Sequence, residues 1–246
     1  MTSTLATPVT WEGAFNAVDL GGLPIVSGGA TAFGRLYRSG RPEFLTDEGW
    51  RQAISGGVRL VVDLRNPSEI GREAAHPVID ESALAGIIRV NLPTEDPDDP
   101  EFRRVCGPLL DSPASYADNL AFSPEKFAAV FHAIAGADGA VLVHCSAGRD
   151  RTGLVTALVL RLAGVPVEAI ADDYEAAVRR VNAHLWTTPE PRREEAHSDE
   201  TLLSRIRDRR DALVEWLEPL DVGDYLASIG ISRAEIARLS QLLAAP

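Results

Sequence analysis

A cysteine and an arginine six residues apart stand out in the stretch VLVHCSAGRDRTGLV, residues 141–155. Cys145 comes directly after an apolar run that is typical of a buried strand, and Arg151 stands where a helical pattern begins. A tight loop between a strand and a helix directs several backbone N–H groups at one point beside the helix N-terminus, and such a point binds anions. The same field stabilises a thiolate. The stretch therefore predicts a nucleophilic Cys145 beside a bound oxyanion, with the planar fork of Arg151 on two of its oxygens.

The other residues of this loop fit the same chemistry. Ser146, Ala147 and Gly148 are small, so the backbone can approach a tetrahedral anion closely, and glycine tolerates the positive φ that such loops often require. A hydroxyl from either Thr152 or Ser146 can donate a hydrogen bond to the thiolate and help it to leave an intermediate. Strand alternation turns the side chain of His144 away from the loop, which favours a bracing role over that of a general base.

The loop works only if a strand and a helix hold it, and the hydrophobic pattern predicts both. Apolar runs too short for most helices predict buried strands before Cys145 and in the earlier segments VRLVVDL and AGIIRVNL. Thr46, followed by acidic residues, predicts the start of a helix, and glycine turns bound short strands in FNAVDLGGLPI and TAFGRLYRSGRP. Strands alternate with helices early and helices dominate late. We therefore expect an α/β fold with a parallel-centred sheet flanked by helices and a helical C-terminal part.

The remaining segments set the expected domain organisation. Residues 1–10 are polar and contain proline, which predicts a flexible N-terminus, and residues 11–246 show no domain boundary, which predicts a single domain. The acidic, proline-rich residues 93–115 predict a loop or lid. The helical pattern that follows is interrupted at Pro124, so it forms either one kinked helix or two. Residues 187–200 predict a polar linker.

Composition excludes several function classes. A formal net charge of −12 argues against a general nucleic-acid binder, because duplex affinity comes mainly from cationic side chains. Two cysteines are too few for a disulfide framework or a cysteine-built zinc site. Cys106 is predicted to be a small buried hydrophobe rather than a redox partner of Cys145. Neither a signal peptide nor a run of eighteen apolar residues occurs, so a cytoplasmic location is predicted, although leaderless export leaves no signature in a sequence.

The loop pattern resembles that of a known enzyme class. His144, Cys145, Arg151, Thr152 and Gly153 match the His-Cys-x5-Arg-Thr-Gly signature of cysteine-dependent protein tyrosine phosphatases. Over most of the chain, further segments resemble in the same order the bacterial, mycobacterial-type family of atypical tyrosine phosphatases with dual or lipid specificity. These segments are FNAVDLGGL, GRLYRSGRP, VVDLRNPSEI, VHCSAGRDRTG, ADDY and YLASIGIS.

This resemblance implies a phosphotyrosine phosphatase-like fold, no metal or other cofactor, and hydrolysis of phosphomonoesters through a phosphocysteine intermediate. Cys145 is the implied nucleophile, Arg151 the implied phosphate clamp and Asp150 the implied general acid within the loop. Asp63, at the end of VVDLR, is implied to orient the clamp arginine. The implied phosphate-binding residues are Ser146, Ala147, Gly148, Arg149, Asp150, Arg151 and Thr152. The expected partners are phosphorylated proteins or phosphoinositides, with no nucleic acid and no integral membrane segment.

The residues leave the general acid open. Asp63 is either a site residue or the structural partner of an arginine. If it is a site residue, it is the second choice for the acid. Asp96, Asp98 and Asp99 are weaker candidates on a loop that could swing in. Arg149 stands where relatives that act on phosphoinositides tend to carry lysine, and either codon usage or an altered specificity explains the arginine.

Competing interpretations remain for the basic cluster and for the whole protein. Arg35, Arg38 and Arg41 are either a solvated surface or supply one ligand-facing residue. Sulfur transfer and arsenate reduction are rival chemistries on a cysteine loop, and the RTG sequence disfavours both. A catalytically silent module that binds phosphorylated ligands is the alternative from another class, which the presence of both Cys145 and Arg151 disfavours.

Overall fold

Six strands form one sheet in the part of the chain that the computed structural model describes, residues 5–187 and 194–244. The strands are β1 (Thr7–Pro8), β2 (Val18–Asp19), β3 (Leu36–Ser39), β4 (Val58–Asp63), β5 (Ile88–Asn91) and β6 (Ala140–His144). Their order across the sheet is β1-β2-β3-β6-β4-β5. Strands β3, β6, β4 and β5 run parallel, and β1 and β2 are added antiparallel at one side. The predicted parallel-centred sheet is confirmed.

Helices cover both faces of this sheet. Those within the described ranges are α1 (Asp47–Ser55), α2 (Pro100–Val105), α3 (Tyr116–Phe122), α4 (Pro124–Ala135), α5 (Asp150–Leu162), α6 (Val167–Thr187), α7 (Asp199–Leu217), α8 (Val222–Ser228) and α9 (Arg233–Leu242). On one face, Trp50 and Ala53 of α1 share an apolar cluster with Val61 and Leu142. On the other face, α4 packs on β4 and α5 packs on β3 and β6. The helices α5 to α9 follow the last strand, which confirms the helical C-terminal part.

Strand β6 carries the loop that the sequence singles out. All its residues are buried, as expected of a strand with parallel neighbours on both sides. Val141 and Val143 belong to the cluster on the α4 and α5 side, whereas Leu142 belongs to the cluster on the α1 side. Because parallel strands end at one edge of a sheet, the loop after β6 lies at the carboxyl edge, where α/β folds bind ligands.

Two expectations from the sequence need correction. The run AGIIRVNL predicts a buried strand, but β5 is an edge strand and Ile88 is 64% exposed. An apolar run alone does not distinguish an edge strand from a central one. The predicted loop 93–115 contains a helix, α2, which begins because the Asp99 carboxylate accepts hydrogen bonds from the first helical N–H groups. Whether this segment acts as a lid stays a prediction.

Pro124 separates α3 from α4, so the alternative of two helices is confirmed. In the predicted flexible terminus 1–10, the first four residues lie outside the described ranges, and Thr7–Pro8 pair with β2. Residues 188–193 of the predicted linker also lie outside the described ranges. The flexible terminus and the single domain stay predictions.

Candidate active site

The loop between β6 and α5 forms one wall of a cavity of about 290 Å³. Cys145 lies at this wall and is only 3% exposed. The residues that line the cavity are Glu69, Glu95, Leu110, Asp111, Cys145, Ser146, Ala147, Arg149, Asp150, Arg151 and Glu194. Most of the loop residues predicted from the sequence therefore face one space. Gly148 and Thr152 belong to the same loop without lining the cavity, and Asp63 lies elsewhere.

The carbonyl groups of the loop are held from outside the cavity. Those of residues 146–149 accept hydrogen bonds from three residues that lie more than 100 positions earlier in the sequence. The backbone N–H of Arg41 donates to the first carbonyl at 2.9 Å. Asn16 Nδ2 donates to the second and third at 2.9 and 3.2 Å, and Arg38 Nη2 donates to the third and fourth at 2.8 and 3.2 Å. None of the three donors lines the cavity.

The N–H groups of the loop are consequently free for an anion. In a planar trans peptide unit the C=O of one residue and the N–H of the next point in opposite directions, so the outward carbonyls of residues 146–148 leave the N–H groups of residues 147–149 turned toward the cavity. The N–H groups of residues 146–149 have no acceptor within the described ranges. Unpaired backbone donors are rare inside proteins. Four of them beside Cys145 and the N-terminus of α5 form an arrangement that can hold an anion.

Gly148 lets the loop take this shape. Its φ is +69°, and a Cβ on it would lie 2.3 Å from the Ser39 carbonyl group at the end of β3. Gly86 has a similar φ of +85° but nothing within 4 Å of a Cβ. Both glycines adopt the left-handed backbone conformation, but a Cβ would clash with a neighbouring residue only at Gly148.

We expect Gly148→Ala to lower the free energy of unfolding by about 3–5 kcal/mol, because a steric clash adds to the cost of the left-handed backbone. Gly86→Ala, the matched control, is expected to cost about 1–2 kcal/mol. Urea-induced unfolding of both variants measures the difference. Equal losses would show that the close approach to β3 is not what requires glycine at position 148.

A buried ion pair anchors the loop to α6. Arg38 is 1% exposed, and its Nη1 pairs with the Asp173 carboxylate of α6, which is equally buried. A second link from α6 runs from Arg180 Nε to Asn16 Oδ1 at 2.8 Å. Arg38 therefore holds the loop from behind and is not the ligand-facing member of the basic cluster, while Arg35 is exposed.

We expect Arg38→Met to lower the free energy of unfolding by about 3–5 kcal/mol, because it leaves the Asp173 carboxylate buried and unpaired. Arg207→Met, on the exposed side of α7, is the control and is expected to change stability by less than about 0.5 kcal/mol. The double variant Arg38→Met/Asp173→Leu should recover part of the loss, since it removes the unpaired charge. Chemical denaturation measures all three. A loss below about 1 kcal/mol for Arg38→Met would contradict this account.

Arg151 is oriented by Glu69. Its Nη1 and Nη2 donate to the two Glu69 carboxylate oxygens at 2.5 and 2.8 Å, and Glu95 lies 3.4 Å from Nη1. Glu69 also accepts from the Ser146 hydroxyl at 2.9 Å and from the Asn66 N–H at 3.0 Å. Burial raises the pKa of Glu69, but the hydrogen bonds and charge of Arg151 outweigh it and lower the pKa to about 2. Glu69 is thus an anion that fixes the guanidinium and leaves its Nε–H unpaired within the described ranges.

The role implied for Asp63 falls to Glu69 instead. The Asp63 carboxylate accepts from Arg65 Nε at 2.9 Å and from Arg65 Nη2 at 2.7 Å, and it lies 3.8 Å from His144 Nε2. Asp63 is therefore the structural partner of an arginine, which was one of the two interpretations of the sequence. The reason is that Asp63 and His144 end their strands on the α1 face of the sheet, away from the cavity. His144 is buried and faces away from the loop, as strand alternation predicts.

Asp150 lies within the cavity wall with both carboxylate oxygens engaged. Oδ1 accepts from the Tyr174 hydroxyl at 2.7 Å, and Oδ2 accepts from Arg149 Nε at 2.7 Å. Arg149 reaches onward to Glu194 at 2.9 Å. The Tyr116 hydroxyl donates to the Asp150 carbonyl at 2.9 Å. The Asp150 side chain is therefore fixed by the loop residue before it and by α6, and its carbonyl is held from α3.

Glu95 is a second carboxyl group in the cavity that the sequence does not single out. Its side chain is 11% exposed. Burial raises its pKa against the opposing effect of Arg151, and the charges of Glu69 and Asp150 raise it further. Lys126, the only lysine of the chain, donates to the Glu95 carbonyl at 2.8 Å and pairs with Asp96 at 3.3 Å. Only its burial distinguishes Glu95 from the acidic residues around it.

None of the three acidic-loop candidates lines the cavity. Asp96 is half-exposed in its pair with Lys126, and Asp99 caps α2. Asp98 is exposed. Glu69, by contrast, stands in the segment VVDLRNPSEI and closes a capping box with Asn66, a four-residue pattern that sequence could have revealed.

The raised pKa of Glu95 predicts a pH dependence of stability. The pKa of Glu95 is higher in the folded protein than in the unfolded chain. The stabilisation from its neutral form is therefore complete at pH values below the ordinary glutamate pKa, and it is lost as the pH rises through the raised pKa. We expect the native protein to lose stability relative to Glu95→Gln as pH rises, by about 1.4 kcal/mol for each pH unit between the two pKa values. Urea unfolding of both proteins from pH 4 to pH 8 measures this. A constant difference would contradict it.

The hydroxyls of Ser146 and Thr152 and the thiol of Cys106 differ in their surroundings. Ser146 donates to Glu69, so its hydroxyl is not available to the cysteine. The Thr152 hydroxyl is buried and has no partner within the described ranges, so of these two hydroxyls it is the unpaired one. Cys106 is a free buried thiol, and burial with the charges of Asp118 and Glu95 raises its pKa to about 11.

Two further observations concern only the described residues. They contain no cluster of three or more histidine, cysteine, aspartate or glutamate side chains placed to hold a metal ion. No helix among them is both long and apolar enough to cross a bilayer.

Comparisons with known proteins agree with this geometry. A family model described as the Tyrosine phosphatase family matches residues 9–245. A putative tyrosine-protein phosphatase of Cupriavidus necator is 32% identical over 171 residues, which are 65% of this chain and 59% of the relative. A tyrosine-protein phosphatase of Nostoc commune is 36% identical over 148 residues, 59% of this chain and 48% of the relative. The chain thus matches only about half the length of these two.

A third relative matches nearly end to end. The triple specificity protein phosphatase PtpB of Mycobacterium tuberculosis is 28% identical over 273 positions, covering 94% of this chain and 97% of that protein. Among solved structures, that of P. aeruginosa TpbA covers 94% of this chain and 99% of its own, at 18% identity and a TM-score of 0.43. A likeness that weak does not bear on activity.

Proposed function

The chain belongs to the tyrosine phosphatase family, and from this premise we propose that it hydrolyses phosphomonoesters, with phosphotyrosine as the preferred substrate, through a phosphocysteine formed on Cys145. The observation that carries the proposal is the ring of unpaired backbone N–H groups at residues 146–149, set between Cys145 and Arg151. Such donors stabilise charge as it develops on a transferring phosphoryl group.

In the first step the phosphate of the substrate binds in the loop. Its oxygens accept from the N–H groups of residues 146–149 and from the unpaired Nε–H of Arg151, which Glu69 keeps in place. The Cys145 thiolate attacks phosphorus, so the Sγ–P bond forms while the bond from phosphorus to the phenolic oxygen breaks. The leaving oxygen takes a proton from a carboxylic acid, for which we propose Asp150 because it lines the cavity from the loop itself.

In the second step water releases the phosphate. The carboxylate that gave up its proton accepts one from a water molecule, the water oxygen bonds to phosphorus, and the Sγ–P bond breaks. The departing thiolate regains its hydrogen-bond donors, and we assign one of them to the Thr152 hydroxyl, which lies on the first turn of α5 without a partner in the described ranges. Inorganic phosphate leaves and the enzyme is regenerated.

The charge of the cavity favours a substrate with a single phosphate. Two arginines line it against five carboxylates, those of Glu69, Glu95, Asp111, Asp150 and Glu194. Both arginines already pair with acidic groups. Additional phosphates on an inositol ring would lie among these carboxylates without free cations to hold them. We therefore propose phosphotyrosine in proteins over phosphoinositides.

Phosphate release in the presence of a chelator tests the proposal. A phosphotyrosine peptide, the matched phosphoserine peptide and a micelle of phosphatidylinositol 3,5-bisphosphate, which carries an additional ring phosphate, would be compared, with p-nitrophenyl phosphate as a general substrate. We expect turnover of the phosphotyrosine peptide. For the lipid we expect a kcat/KM at least about tenfold lower, because a tenfold loss needs only a fraction of the repulsion between an additional phosphate and a nearby carboxylate. Binding of orthovanadate without release of phosphate from any substrate would overturn the proposed hydrolysis. A preference for the lipid would overturn the proposed substrate.

A further inference from the structure

A second cavity of about 450 Å³ lies on the α1 face of the sheet. It opens at the carboxyl ends of β4, β5 and β6, where Asp63, Asn91 and His144 stand. It shares no lining residue with the cavity at Cys145. Its volume falls in the range of small-molecule sites. The proposed hydrolysis makes no use of it.

The walls of this second cavity are mainly apolar. Leu45 follows the turn before α1, Trp50 comes from α1 itself, Val61 from β4 and Ile79 from the segment between β4 and β5. Trp50 is 3% exposed and Val61 2%, so these side chains are fixed by packing. Walls of this kind accept a flat apolar body better than a fully hydrated one.

The polar residues around the cavity favour an anion. Three arginines line it against two carboxylates, and both carboxylates, Asp63 and Glu43, pair with the buried Arg65. Arg72 donates only to the carbonyls of residues 76 and 77, and the exposed Arg89 has no partner within the described ranges. This cationic excess occurs in a chain of net charge −12 and is the reverse of the balance in the cavity at Cys145.

Unpaired donors occur in the same lining. Arg65 Nη1 and Trp50 Nε1 are buried and have no hydrogen-bond acceptor within the described ranges. Buried donors of this kind are nearly always paired in proteins, so each needs an explanation. An acceptor brought by a ligand would supply one. The Glu43 Oε2 atom is also unpaired, but its carboxylate already shares the Arg65 guanidinium with Asp63.

From these observations we propose that the second cavity binds an aryl carboxylate, with the aromatic body against Trp50 and Val61 and the carboxylate among the arginines. The inference does not rest on phosphatase activity, because the site is built from other residues. It adds a ligand site to the protein, separate from the one at which a phosphate would bind.

Isothermal titration calorimetry of the full chain with naphthalene-2-carboxylate tests the proposal, with the neutral 2-naphthamide as the matched probe. We expect one carboxylate to bind per chain and the amide to bind about tenfold more weakly, the loss expected for a charge-assisted hydrogen bond. The double variant Arg72→Gln/Arg89→Gln should weaken carboxylate binding by about tenfold. Arg207→Gln, an exposed arginine on α7, should leave it unchanged.

Two further measurements identify the site at which the carboxylate binds. Ile79→Trp, which fills the second cavity at a partly buried position, should abolish binding, whereas a saturating concentration of inorganic phosphate should not displace the carboxylate. No heat up to millimolar probe, equal binding of the amide, or displacement by phosphate would each overturn the proposal. A circular dichroism spectrum and thermal unfolding of Ile79→Trp would establish that it folds, and the arginine variants keep the test valid if it does not.

Discussion

Cys145→Ser is expected to abolish phosphate release, with a fall in kcat of about 10⁴-fold or more, a loss of the size seen when an enzyme's nucleophile is removed. The serine hydroxyl is far less ionised than a thiol at neutral pH and needs an adjacent base to attack. The structure offers the serine no such base: His144 faces Asp63 on the other side of the strand, Glu69 is held by Arg151, and Asp150, as the proposed acid, must carry its own proton at this step. The measurement is single-turnover and steady-state release of phosphate from a phosphotyrosine peptide.

The other cysteine supplies the control. Cys106→Ser makes the same chemical change at a buried thiol that does not line the cavity, so it should retain turnover within about threefold even if it lowers the melting temperature. The N–H groups of residues 146–149 are untouched in Cys145→Ser, and this variant should therefore still bind the phosphotyrosine peptide. Substantial turnover by Cys145→Ser would exclude a phosphocysteine on Cys145.

Asp150→Asn is expected to lower kcat for phosphotyrosine by about 10²–10⁴-fold, the contribution of a positioned general acid. For p-nitrophenyl phosphate the loss should be much smaller, because its leaving group needs little protonation. The diagnostic readout is the ratio of the two losses in kcat, since a merely structural role of Asp150 would lower both rates alike. Tyr174→Phe should reproduce part of the effect, because the Tyr174 hydroxyl positions Asp150 Oδ1.

Glu95→Gln is the matched comparison. Glu95 lines the same cavity, and its raised pKa keeps it protonated to higher pH than an exposed glutamate. If Asp150 is the acid, Glu95→Gln should cost about tenfold or less, with the same loss for both substrates, as expected for a residue whose side chain acts through its pair with Arg151. A large loss confined to phosphotyrosine in Glu95→Gln, with Asp150→Asn near native, would transfer the role of acid to Glu95.

The sequence predicts the centre of this site better than its surroundings. The spacing of Cys145 and Arg151 predicts the loop because a strand, a turn and a helix are local, and alternation along β6 predicts the orientation of His144. The residues that shape the loop come from elsewhere: Asn16 and Arg38 act through contacts across more than 100 residues, which no local pattern contains. Their segments FNAVDLGGL and GRLYRSGRP stand out in the sequence, but nothing in them indicates contact with carbonyl groups.

The acidic residues show most clearly what cannot be predicted from the sequence. Asp63 and Glu69 lie six residues apart in one segment, and only the position of the chain after β4 decides that Glu69 reaches Arg151 while Asp63 pairs with Arg65. Glu95 differs from its acidic neighbours in burial, which depends on how the segment after β5 packs. Edge and central strands pose the same difficulty, since the order of β4 and β5 in the sheet is a property of the whole fold.

The single lysine makes the segment around Glu95 directly visible by spectroscopy. Lys126 Nζ contacts the Glu95 carbonyl and Asp96, so its chemical environment reports on this side of the cavity. Reductive methylation with ¹³C-formaldehyde would place one isotopically labelled dimethylamine on the only lysine side chain, besides the α-amino group. The protein thus carries a built-in NMR reporter, whose resonance can be followed through a titration with vanadate without introducing any substitution.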